Sequence, residues 1–134
     1  MRHLLDSSAV LAFYFGEPGA ERVREILSDE RTPVDLSVLT AAELWSRLRA
    51  EGAEPVFEDA WHRLSELASA LVPVSLSVVL RAIELRRAAL ARLPLIDALI
   101  AAAAVEQGAV LVHRDPHFAS IPADLMRQER LLDK

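Results

Sequence analysis

Residues 95–115 read LIDALIAAAAVEQGAVLVHRD, and the architecture can be built outward from them. Residues 95–107 are apolar almost all round a helix, so this helix belongs between a sheet and another helix rather than at a surface. Gly108 ends it as a C-terminal cap. Residues 109–112 then run apolar without alternation, as a strand does when both faces of its sheet are covered. Besides Glu106 near the helix end, the stretch holds two acids: Asp97, three residues after Pro94 and so in the first helical turn, and Asp115, just past the strand.

Moving outward, the same alternation recurs. Residues 3–5 read as a strand ending at Asp6, residues 34–38 as a weakly alternating strand after Pro33, and residues 71–74 as a strand whose Pro73 marks an edge or an end. Helical periodicity covers residues 18–27, with Ala20, Val23, Ile26 and Leu27 on one face, and residues 40–49. It also covers residues 55–71, with Trp61, Leu64, Leu67, Ala68 and Leu71 at helical spacing, and residues 77–91. Residues 126–132 fit either a short edge strand or a frayed helix. Strands alternating with helices, and apolar throughout, predict a three-layer α/β/α sandwich around a mainly parallel sheet, in a single domain over residues 1–134.

Composition agrees and excludes much else. The chain has 134 residues, of which 52% are hydrophobic and 26% charged. A domain of this size buries roughly two-thirds of its unfolded surface and needs no staple. The absence of cysteine excludes disulfide frameworks, zinc knuckles, iron–sulfur clusters and thiol catalysis, and it fits a reducing cytoplasm. The net charge of −5 argues against a basic coat for nucleic acid. Every basic residue but Lys134 is arginine, which leaves little room for a catalytic lysine. The best apolar run, residues 98–105, falls far short of the ~20 residues of a membrane helix. Asp6 interrupts the apolar start, so no signal peptide is read there. A soluble, cytoplasmic protein with no membrane partner is expected.

Most acids lie beside arginines on helix faces, but Asp6, Glu43, Asp97 and Asp115 do not. In a parallel α/β sheet the strand ends and the starts of following helices share one edge, where ligands bind. All four acids fall at such positions. Each has a plainer reading: Asp6 as a helix cap, Glu43 as half of a Thr40–Glu43 capping box, Asp97 as a charge favoured by the helix dipole, and Asp115–Pro116 as a turn. Four independent caps have no reason to share one edge, however. Together they predict a carboxylate cluster that a divalent cation makes tolerable, Mg²⁺ or Mn²⁺ by the hardness of the donors. His113 and His117, set two residues either side of a central turn, read better as surface or hydrogen-bonded side chains than as ligands. His3 and His62 read as ordinary strand and helix residues. Phe13, Tyr14 and Phe15 read as packing residues rather than base-stacking ones.

These residues resemble a PIN domain, in particular the small bacterial VapC-type toxin ribonucleases. The likeness rests on Leu5-Asp6-Ser7-Ser8-Ala9, Ala42-Glu43-Leu44, Asp97-Ala98-Leu99-Ile100-Ala101-Ala102 and Val112-His113-Arg114-Asp115-Pro116-His117-Phe118, in that order over essentially the whole chain. It implies a catalytic quartet of Asp6, Glu43, Asp97 and Asp115 around one or two Mg²⁺ or Mn²⁺ ions, with Ser8 as a supporting hydroxyl. It also implies metal-dependent hydrolysis of RNA phosphodiester bonds, a homodimer, and a cognate antitoxin whose tail enters the acidic groove. Either Glu43 or Asp97 would orient or deprotonate the attacking water. Two positions depart from the pattern: many relatives carry Thr or Ser at His113, and a further acid at His117. Because the overall charge is unfavourable for RNA, contact is expected from Arg47 and Arg49, on the helix that carries Glu43, and from Arg114, beside Asp115. The alternative is a non-catalytic PIN-like module that binds RNA or protein. A receiver domain would need a lysine after its last strand, and a haloacid-dehalogenase-like phosphatase would need Asp-x-Asp where Asp6 is followed by Ser7 and Ser8.

Overall fold

The computed structural model describes residues 1–132. The chain runs β1 (His3–Leu5), α1 (Ser7–Phe15), α2 (Ala20–Ser28), β2 (Val34–Ser37), α3 (Leu39–Ala50), α4 (Phe57–Leu67), β3 (Ala70–Val72), α5 (Leu76–Ala88), α6 (Leu95–Glu106), β4 (Val110–His113) and β5 (Gln128–Arg130). Short 3-10 turns occupy Glu54–Val56 and Pro116–Ser120. The five strands form one wholly parallel sheet in the order β3-β2-β1-β4-β5.

Side chains alternate across the strands and divide the core into two layers. Leu4 and Leu111 point into a cluster with α5 and α6, built on Val78, Ala82, Leu85, Ala98, Ala101 and Ala102. Leu5, Leu36 and Val112 point the other way, against Val10, Val23, Leu44 and Leu64 of α1 to α4. The central strands are thus buried on both faces, which explains their continuous apolar runs. The expected three-layer sandwich is the observed one.

The boundaries differ in instructive places. The expected helix over residues 55–71 stops at Leu67, because residues 70–72 pair with β2 in the register Leu36↔Leu71. Pairing captures a segment whose periodicity alone suits a helix. The expected strand over residues 71–74 is Ala70–Val72, ended by Pro73 at one edge of the sheet. The strand expected over residues 109–112 is shifted by one to Val110–His113. Of residues 126–132, Gln128–Arg130 form the opposite edge strand, β5.

One buried acid stands outside the expected set. Asp35 of β2 is fully enclosed, but Arg2 donates to it at 2.5 Å and Gln107 at 3.0 Å. A buried carboxylate partnered in this way is an ordinary structural element.

Candidate active site

The strand order reverses between β1 and β4, since β2 and β3 build away from β1 on one side and β5 lies beyond β4 on the other. In open α/β sheets that reversal opens a crevice outside the carboxyl ends of the two strands. Asp6 is the residue after β1, and its N–H donates to Val112 O at 3.0 Å, which ties it to the end of β4. Asp115 follows β4 by two residues. Because α6 ends where β4 begins, its first turn, which carries Asp97, lies back at the carboxyl edge. Glu43 lies just over one turn into α3, the helix that follows β2.

A local network fixes the side chains. Asp6 caps α1: its Oδ1 accepts from the Ala9 N–H at 2.8 Å and from the Ser8 hydroxyl at 2.7 Å. The Ser8 hydroxyl oxygen in turn accepts the Arg114 N–H at 2.8 Å, so one serine fastens the β1 turn to the β4 turn. Ser7 donates to Glu43 and lies 3.2 Å from the Thr40 hydroxyl. The Thr40–Glu43 capping box does not form. The cap position of α3 is Val38, Thr40 is buried inside the helix, and Glu43 is held by Ser7 instead. The dipole and turn readings of Asp97 and Asp115 do hold, since Asp97 sits in the first turn of α6 and Asp115 accepts the His117 N–H at 2.8 Å. Local capping and convergence on one edge therefore coexist.

Asp6 is only 3% exposed, and burial, aided by the charges of Asp115 and Asp97, pushes its carboxyl up to about 7. Asp97 is pushed up to about 6, first by burial and then by Asp115, with Glu43 adding to the repulsion and His117 opposing it. Among the described residues no arginine pairs with any of the four carboxylates. The nearby arginines are engaged elsewhere: Arg47 donates to Glu17 at 2.5 Å and to Glu51 at 2.6 Å and lies over the Phe15 ring, while Arg114 is 3.6 Å from Glu17. Arg49 is exposed, over the Trp45 ring.

The histidines divide. His113 is buried, as a hydrogen-bonded residue should be: its Nδ1 accepts the Asp115 N–H at 3.2 Å and its Nε2 meets Gln128 Oε1 at 2.7 Å. Burial lowers its pKa, favouring the neutral ring. His117 is exposed, as a surface side chain should be, and it adds a contact with Asp97 that the sequence reading did not name. Its Nδ1 lies 2.8 Å from Asp115 and 3.3 Å from Asp97, and one ligand atom from each of the three residues falls within 4.8 Å of the others. The only signal was its offset of two from Asp115, which is also common in turns. Contact with Asp97, twenty residues earlier, is a tertiary event.

The PIN domain family profile matches residues 3–124. No curated protein matches the chain. Among solved structures, VapBC2 from Rickettsia felis, bound to a DNA fragment from its promoter, superposes with a TM-score of 0.79 at 19% identity, covering 98% of this chain and 100% of that one. FitAcB from Neisseria gonorrhoeae gives a TM-score of 0.70 at 24% identity, covering 96% and 97%. VapC20 from Mycobacterium tuberculosis, a toxin that cleaves the sarcin–ricin loop, gives 0.68 at 19% identity, covering 89% and 93%. At these identities the likeness is one of fold.

Proposed function

The chain belongs to the PIN domain family, and from that premise we propose that it is a divalent-metal-dependent endoribonuclease hydrolysing RNA phosphodiester bonds, the toxin of a toxin–antitoxin pair. The observation that carries this reading is the convergence at the sheet's switch point of Asp6, Glu43, Asp97 and Asp115, where burial and neighbouring carboxylates raise Asp6 and Asp97 and, among the described residues, no arginine pairs with any of the four. Four carboxylates left unpaired by arginine, in a chain this rich in it, are suited to an external cation.

Asp6, Asp97 and Asp115, with Glu43, would hold one or two Mg²⁺ or Mn²⁺ ions. The oxygen-rich donor set fits such ions. When bound, the metal neutralises the phosphodiester, lowers the pKa of a coordinated water and stabilises charge that develops in the transition state. Ser8 positions Asp6 and ties it to the Arg114 backbone. Of the two carboxylates open as water-orienting groups, we assign Glu43. Asp97 faces His117 and Asp115, whereas Glu43 stands outside that group, steadied by Ser7. Arg49 is the first candidate for RNA phosphates, whereas Arg114 joins it only by leaving Glu17, and Arg47 only by leaving Glu17 and Glu51. Arg114→Ala is expected to weaken cleavage more than metal binding.

Residues 1–134 would act as one domain, in the cytoplasm, as a homodimer and under control of a cognate antitoxin. No helix among the described residues is long and apolar enough to cross a membrane. The direct test incubates the purified chain with structured RNAs in Mg²⁺ or Mn²⁺, and in chelator. Metal-dependent cleavage is expected, with a loss of at least a hundredfold in Asp6→Asn and Asp97→Asn. Equal cleavage by these variants would exclude the site. RNA binding without cleavage by the wild-type chain would favour the non-catalytic module.

A further inference from the structure

We propose that His117 is a metal ligand alongside Asp97 and Asp115, and that its nitrogen makes this site select first-row transition-metal dications such as Mn²⁺ and Co²⁺ over Mg²⁺. The inference rests on the metal-dependent reading above and assigns a donor that the carboxylate quartet does not include.

The backbone of His117 is fixed from several sides. Its N–H donates to Asp115 Oδ1 at 2.8 Å, its carbonyl accepts from Ser120 at 2.7 Å, and the next residue, Phe118, is fully buried with its ring centroid 4.7 Å from that of His113. The imidazole is held over carboxylates from two separate elements, Asp97 of α6 and Asp115 after β4. His62 shows what an incidental contact looks like: it meets only Glu66, one turn along the same exposed helix.

The two separations from His117 Nδ1 suit one ion. An octahedral dication with bonds of about 2.1 Å holds adjacent donors about 3.0 Å apart. The Nδ1 distances of 2.8 and 3.3 Å bracket that spacing. The His117 side chain is 44% exposed, so an ion and its remaining waters can reach the group from solvent.

The chemistry of the donors then sets the preference. Mg²⁺ takes oxygen ligands and dehydrates reluctantly, so an imidazole in place of a carboxylate offers it little. Affinity for nitrogen donors rises along the first-row series from Mn²⁺ through Co²⁺. Replacing an acid by His117 also removes one negative charge, which weakens the purely electrostatic attraction that Mg²⁺ depends on.

The test needs no RNA. Metal-stripped wild-type chain is titrated calorimetrically with Mg²⁺, Mn²⁺ and Co²⁺, beside His117→Ala, His117→Asp and Asp97→Asn, with thermal melts confirming that each variant folds. The wild-type chain is expected to prefer Co²⁺ and Mn²⁺ over Mg²⁺ by at least tenfold. His117→Ala is expected to lose about tenfold in Mn²⁺ and Co²⁺ affinity with little change for Mg²⁺, and His117→Asp to shift the preference towards Mg²⁺. In the Co²⁺-loaded wild type, proton NMR should show a hyperfine-shifted exchangeable imidazole N–H that both His117 variants lack. An unchanged metal ratio in His117→Ala, with binding lost in Asp97→Asn, would overturn the histidine's role and leave the metal-dependent reading standing. No divalent binding by the wild-type chain would overturn both.

Discussion

Asp6 caps α1 through the Ala9 N–H and lies buried beside the charges of Asp97 and Asp115, so the fold needs its oxygen while its charge is costly. One pKa unit corresponds to about 1.4 kcal/mol. A rise from 3.8 to about 7 therefore implies a cost on the order of 4 kcal/mol when the residue is ionised in the folded, metal-free protein. The folded state binds this proton more tightly than the unfolded chain does. The associated stability is present in full below about pH 4 and is lost as pH rises to about 7, with Asp97 adding in the same direction up to about 6. Asn at position 6 keeps an oxygen for Ala9 and Ser8 and cannot ionise. Urea unfolding in chelator should find Asp6→Asn more stable than wild type at pH 8, by about 2–4 kcal/mol, with the gap closing near pH 4.5. Equal stability at pH 8 would contradict the strained-carboxylate account.

α6 shows how an element serves the site from behind. Ala101, Ala102, Ala103 and Ala104 are all buried, and their small side chains let the helix lie close between the sheet and α5 while its first turn presents Asp97. Ala102→Leu should cost about 1–3 kcal/mol through overpacking, measured as a lower urea midpoint at unchanged slope. A neutral result would mean that the layer is looser than its burial implies. This helix was legible in the sequence because its apolar circumference has one physical meaning. The end of α4 was not, because periodicity up to residue 71 cannot register that β2 claims residues 70–72. Thr40–Glu43 misleads for a related reason: the motif suits a cap, yet Ser7, far away in sequence, takes Glu43 instead.

At the scale of the molecule, the α5–α6 layer leaves an apolar stripe uncovered. Leu76, Leu80 and Ile83 recur along α5 at helical spacing and are 72%, 52% and 43% exposed. The proposed homodimer would pair through this stripe, since a second copy would cover it with a like surface. Leu80→Glu with Ile83→Glu should shift the mass in light scattering from two chains to one and leave the melting temperature of the monomer within a few degrees of wild type. A wild-type chain that is monomeric at high concentration would remove the dimer.

Much of this protein could be read from sequence alone: the layered α/β class, the central strands, the buried α6 and the four acids that escape a surface explanation. Those features follow from side-chain period and local chemistry, which a linear chain carries in full. Tertiary structure decided which polar groups meet. It gave Asp35 to Arg2 and Gln107, Glu17 to Arg47 and Arg114, and His117 to Asp97 and Asp115. Except for Asp115, two residues from His117, these partners stand 20 to 97 residues apart in the chain. Partners at such separations are chosen by strand order and helix placement, because contact energies of this kind act over a few ångströms in space and carry no trace along the sequence.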